Sequence, residues 1–189
     1  MRILDIEYLE KKIWYKGVTM RAVLLAMVVL FSSAFATEDV IPWKGKKLQF
    51  HTIEYDKNQT GFIRHLKLYK YPAWVSKITL RNGKELYFSS PKSMFEFYFL
   101  PAKWPDLGIK EEKDFKLLLV TDYNTLKPIN AKGAFYVYGS KVISPAGDDL
   151  PAFASYDEAQ KFADKYNGKR VLSFDKVNRA LINLLNGRI

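Results

Sequence analysis

The chain contains no cysteine. It therefore forms no disulfide and offers no thiolate to a metal ion. A bacterial lipoprotein anchor, which is built on a cysteine, is excluded as well. Histidine is nearly as scarce, with two residues in 189, and methionine has four. There is no phosphate-binding glycine loop ending in Gly-Lys, no paired-histidine zinc helix and no glycine-flanked nucleophilic serine. No catalytic constellation emerges, and the chain is expected not to be an enzyme. The longest apolar run, Ala22 to Phe31, falls well short of the roughly 20 residues a membrane-crossing helix needs.

What is abundant is aromatic and basic. Apolar residues make up 48% of the chain, with 13 Phe and 12 Tyr, enough for a packed interior. The formal charge is +10. Such an excess favours an acidic protein face or a lipid surface, or simply keeps the protein soluble. The lysines are dispersed and accompany no nucleic-acid module, so no nucleic-acid partner is expected.

Residues 20–36, MRAVLLAMVVLFSSAFA, have the three parts of a secretory signal: a basic start at Arg21, an apolar centre and an Ala34-Phe35-Ala36 end. Met20 is a suitable initiator, so residues 1–19 are expected to be an extension of the reading frame; the alternative is an unusually long basic start containing Lys11, Lys12 and Lys16. The chain is expected in the periplasm or cell envelope, exported and without a lipid.

Residues 37–69 form a polar segment, with a possible short strand inside Lys46 to Glu54 and a loop at 56–61. Trp74 to Leu80 reads as a strand, Asn82-Gly83 as a type I′ turn, and Glu85 to Ser89 as the returning strand. Ser90 caps a helix that begins at Pro91 and runs to Phe99. This is a ββα unit over 70–104. Residues 105–132 read as a linker with one apolar run, Leu117 to Val120. Residues 133–189 read as a second ββα unit. It has strands at Ala134 to Tyr138 and Leu150 to Ala154, and a helix opened by the capping box Ser155-Tyr156-Asp157-Glu158. A third strand follows at Arg170 to Phe174. Asp175 is expected to cap a last helix that buries Val177, Leu181, Leu184 and Leu185. Phe88-Ser89-Ser90 and Phe153-Ala154-Ser155 align as weak echoes of each other, with Phe97 opposite Phe162. The class is α+β with small antiparallel sheets.

Several segments carry a family resemblance by their order and spacing. They are Lys70-Tyr71-Pro72-x-Trp74, Tyr87-Phe88-x-Ser90-Pro91-Lys92, Val120-Thr121-Asp122-Tyr123-x-Thr125, Phe135 to Ser140, Ser144-Pro145-x-Gly147 and Ala152-Phe153. From Lys70 to about Val177 the chain resembles the NosL family, accessory proteins of nitrous oxide reductase maturation. The resemblance implies two ββα units, copper(I) as cargo, and the maturation machinery of that enzyme or another envelope protein as partner.

The chain departs from the family at its soft ligands. Cys-Gly-Met is usual before the Lys-Tyr-Pro segment, and Arg64, His65 and Leu66 fall there. Ser-Pro-Met-Gly is usual where Ala146 now stands in Ser-Pro-Ala-Gly. Copper(I) prefers sulfur, with imidazole as second choice. Beyond residue 36 the donors of these kinds are His65, His51 and Met94, and these are the candidate metal ligands. The alternative makes both histidines ordinary surface side chains and Met94 a core residue against aromatic rings. In that case the chain is a metal-free binding or scaffold module using an aromatic surface around Trp74, Phe95, Tyr98 and Trp104. Asp148-Asp149 is expected to be a solvated turn, and Asp122-Tyr123 a structural Asx turn with a packed ring.

Overall fold

The computed structural model describes residues 52–188. The expected export signal at 20–36, the expected extension at 1–19 and His51 lie outside these residues, as does most of the expected strand inside 46–54.

The first sheet has four antiparallel strands: β1 (Ser76–Leu80), β2 (Glu85–Phe88), β3 (Phe115–Thr121) and β4 (Pro128–Asn130), in the order β2-β1-β3-β4. β1 and β2 form the expected hairpin, with Lys77 opposite Tyr87 and Thr79 opposite Glu85. Its turn is not type I′. Among the turn residues only Gly83 takes positive φ, at +87°. Gly83 N–H donates to Leu80 C=O (3.0 Å) and Leu80 N–H to Lys84 C=O (2.8 Å), a three-residue loop with glycine in the left-handed position. Asn82 contributes through its side chain, which accepts from Lys84 N–H at 3.0 Å.

The stretch read as a linker supplies two strands of this sheet. β3 lies between β1 and β4, with Ile78 opposite Leu118 and Val120 opposite Ile129. It is buried on both faces near its end, from Leu118 to Thr121. A strand covered on both faces shows no alternation of apolar and polar residues.

Helix α1 (Pro91–Phe99) packs on this sheet. The Ser90 hydroxyl accepts from Ser93 N–H at 3.2 Å, as expected of the cap. Phe95 packs edge-to-face on Tyr136 (5.1 Å between centroids), and Phe97 lies against Phe88 (5.6 Å) and Trp104 (5.1 Å). Together with Ile78, Leu80, Val120, Leu150, Val177 and Ile182 these rings form the principal core.

The second sheet has the order β6-β5-β7, antiparallel, from β5 (Phe135–Tyr138), β6 (Ala152–Phe153) and β7 (Arg170–Ser173). Helix α2 (Tyr156–Tyr166) covers it through Ala159, Phe162 and Ala163. Ser155 caps α2 by accepting from Glu158 N–H (3.3 Å). The Glu158 carboxylate takes bonds from Asn124 (2.9 Å) and Lys161 (3.1 Å).

The two sheets join at Asp122-Tyr123. Tyr123 N–H donates to Ala152 C=O (2.8 Å), and Asp122 accepts from the backbone of Asn124, Thr125 and Ala154. The Tyr123 ring packs on Phe162 (5.1 Å) and Trp74 (5.4 Å), so this pair is the structural turn expected.

The last helix, α3 (Arg179–Leu185), starts later than expected. Phe174–Lys176 forms a 3-10 turn, and Asn178 is the cap, accepting from Leu181 N–H at 2.9 Å. The later start changes the buried face: Val177 and Ile182 are buried, while Leu184 is exposed.

At the end of α2, Asn167 takes the left-handed conformation (φ +58°). Gly168 is needed for a different reason: a Cβ there would stand 2.5 Å from Val137 Cγ1 and 2.9 Å from Ala163. We expect Gly168→Ala to cost about 1–3 kcal/mol through forced repacking. Gly133→Ala, which meets nothing within 4 Å, should be close to neutral. Urea unfolding midpoints of the two variants check this.

Candidate functional site

Helix α1 is the organising element of the site. Seven of its nine residues are buried, and Lys92 and Glu96 are among them. A buried charge needs partners, because leaving it unpaired costs several kcal/mol.

Glu96 is answered by three cations, two of them from distant parts of the chain. Arg64 Nη2 donates to Oε2 at 3.0 Å, Arg188 Nη1 donates to Oε1 at 3.0 Å, and Lys103 Nζ lies 4.0 Å from Oε1. Asn186 completes the cluster. Its carbonyl oxygen accepts from Arg64 (2.8 Å), and its amide donates to Glu96 (3.1 Å). The Glu96 side chain is 5% exposed, against 30% for Arg64, 47% for Lys103 and 50% for Arg188.

Lys92, one helical turn before Glu96, donates from Nζ to Ala146 C=O (2.9 Å) and Leu185 C=O (3.2 Å). Burial pulls its ammonium below the usual lysine range, while the Asp149 charge acts in the opposite direction. Asp149 is buried, contrary to the solvated turn expected, whereas Asp148 is exposed. It accepts from Lys92 N–H (2.8 Å), Leu150 N–H (2.7 Å) and the Ser144 hydroxyl (2.7 Å). Burial pushes its carboxyl up, and these hydrogen bonds hold it back. Spacing alone could not separate Asp149 from Asp148; the signal was their place after a Ser-Pro-x-Gly turn that folds back onto α1.

Arg64, Lys92 and Ala146 thus converge on one face of α1. Arg64 and Ala146 are two positions where the resemblance places soft ligands, and they bring a guanidinium and a methyl group. His65 adopts φ +54°, the left-handed region that glycine favours. That conformation suits the glycine of the Cys-Gly-Met motif that the resemblance places near Arg64, His65 and Leu66. His65 is exposed. It opens onto a shallow pocket of about 230 Å³ that Gln59, Glu85 and Tyr87 also line. The Glu85 carboxylate in that pocket is held by Lys77 (2.6 Å) and by the Tyr87 hydroxyl (3.0 Å).

The two candidate ligands within the described residues do not share a site. Met94 is wholly buried in the principal core, His65 is exposed in its own pocket, and His51 lies outside the described residues. Among the described residues no group of three or more His, Cys, Asp or Glu could hold a metal ion. The supposed aromatic surface also dissolves, since Trp74 and Phe95 belong to the interior.

A larger cleft, about 430 Å³, lies between the end of α1 and the 3-10 turn at 174–176, lined by Tyr98, Phe99, Phe174, Glu112 and Lys132. Burial, and then a hydrogen bond to Glu112, push the Tyr98 hydroxyl up to about 12. The Glu112 carboxyl is held low by Lys132, which donates to it at 2.6 Å, and by Tyr98.

The NosL family model matches residues 52–182. No curated protein matches the chain. Among solved structures, the crystal structure of the copper chaperone NosL from Shewanella denitrificans superposes with a TM-score of 0.59 at 20% identity. It covers 69% of this chain and 98% of its own. The solution structure of apo-NosL from Achromobacter cycloclastes gives a TM-score of 0.40 at 24% identity, over 57% of this chain and 87% of its own. At 20% identity the first likeness speaks for the fold.

Two outcomes test this geometry. Glu96→Gln leaves the cations around it without their counter-charge. We expect a loss of about 3 kcal/mol in urea unfolding, at the low end for a broken buried pair because the cations keep part of their water. Lys161→Gln, in the exposed pair with Glu158, should cost less than about 1 kcal/mol. The second concerns pH. The Tyr98 hydroxyl is raised above its ordinary value of 10.0, so the stability it contributes is complete below pH 10 and is lost as pH climbs toward 12. Tyr98→Phe should flatten that alkaline fall in a pH series of unfolding free energies.

Proposed function

The chain belongs to the NosL family, and on that premise we propose that it is an exported accessory protein of copper-centre assembly, not an enzyme. The observation that carries this reading is the unbroken family match over 52–182. The maturation of nitrous oxide reductase is the process the family points to, and the periplasm or cell envelope is the place.

Copper(I) in this role is cargo, and the residues at the family's ligand positions do not fit it. The Arg64 guanidinium offers N–H donors but no acceptor and repels a cation, and Leu66 and Ala146 carry no metal-donor atom. Any copper handling falls to imidazole: His65 on its exposed turn, with His51 as the second donor. So few ligands mean loose binding, which suits a protein that gives its cargo away.

A second reading is a metal-free docking module that kept the fold. The Arg64–Glu96–Arg188 cluster favours it, because Arg64 brings a fixed charge near a position where the resemblance places a soft donor.

Titration with copper(I) against a competing chelator decides between them. For a copper carrier we expect measurable competition by the wild type. His65→Ala should weaken it at least about tenfold, the loss that even an outer-shell change commonly brings. No competition by the wild type, or equal binding by His65→Ala, removes the copper role from His65 and leaves the docking module.

A further inference from the structure

The Glu96 cluster holds more positive charge than it uses. One carboxylate faces Arg64, Arg188 and Lys103, so among the described residues two positive charges remain without an acid of their own in the cluster. The fourth cation on this face, Lys92, is answered separately by Asp149 and two backbone carbonyls. We propose that Arg64, Lys103 and Arg188 form a preformed receptor for the carboxylates of an acidic protein segment.

Three features support this. First, the two guanidiniums are fixed. Arg64 is gripped by Glu96 and Asn186, and Arg188 by Glu96, so a ligand meets side chains that have already lost part of their freedom. Second, donors remain. A guanidinium carries five N–H groups in a planar fork, and Arg64 and Arg188 each use a single terminal nitrogen here. Arg64 Nε is buried and has no acceptor among the described residues. Third, access is graded. Arg188 and Lys103 are about half exposed and stand at the rim, while Glu96 is closed off beneath them.

The geometry favours a carboxylate. Glu96 itself shows the arrangement, one carboxylate accepting from two guanidiniums at 3.0 Å. An anionic membrane instead recruits clusters of four to eight mobile basic residues and gains little from a pinned fork. The cluster gathers a residue before β1, one just after α1 and one beyond α3. It therefore exists only in the folded protein.

The inference is independent of copper, because its test runs with a metal chelator present. Failure here leaves the copper reading standing, and the reverse holds too. A fluorescent oligoglutamate peptide is titrated with the protein at low ionic strength and followed by anisotropy. The variants are Lys103→Gln with Arg188→Gln, which spare Arg64 and the buried carboxylate. The control is Lys116→Gln with Lys127→Gln, which removes the same net charge from exposed positions elsewhere. We expect the first pair to weaken the peptide about tenfold or more and the control less than about twofold, with affinity falling as salt rises. No binding by the wild type overturns the proposal. An equal loss in the control assigns binding to bulk charge and overturns it as well. Tighter binding to phosphatidylserine vesicles than to the peptide, lost in the same rim variants, replaces the protein segment with a membrane.

Discussion

A helix enclosed on nearly every side that carries both a lysine and a glutamate sets the terms for everything around it. Lys92 and Glu96 lie one turn apart on α1, both removed from water. Uncompensated, either would cost more than a small domain can spare. The chain answers with groups drawn from far along its length. Asp149 and Ala146 come from the turn before β6, Leu185 and Asn186 from the end of α3, Arg64 from ahead of β1, and Arg188 from beyond α3. The aromatic side of α1 supplies most of the apolar burial. The polar side decides where the loops and the last helix dock.

That arrangement bears on how the NosL fold is used here. The left-handed turn at His65 retains a backbone shape suited to glycine. The neighbouring Arg64 points a guanidinium into the face of α1 toward which the Ser-Pro-Ala-Gly turn also folds. A hard, permanently charged cation and a soft monovalent metal are incompatible tenants of one spot. In this chain the two segments bring a guanidinium and a methyl group to that face, and on a shared fold the side chains decide the chemistry.

Much of the fold was legible because its signals are local. Ser90-Pro91 and Ser155 mark helix starts through hydrogen bonds that span three residues. Asn82-Gly83 marks a hairpin for the same reason, although only the glycine took the left-handed shape. The segment order that placed the chain in its family was also readable, since it depends on sequence spacing and not on contacts. What was misread shares one cause. β3 hides its strand character because sheet and helix cover both its faces. The last helix slipped by three residues because Asp175 and Asn178 are equally good caps in isolation, and only the packing of Val177 and Ile182 selects the second.

The sequence by itself determined the absence of thiol chemistry, the basic excess, the α+β class and the family. Each follows from composition or from short-range geometry. Tertiary structure alone decided that Asp149 is buried while Asp148 is not, that Met94 is sealed within the core, and that Arg64, Lys103 and Arg188 meet on one carboxylate. Those outcomes depend on which distant segments pack against α1, and desolvation of a charge is a property of the assembled environment, not of the residue that bears it.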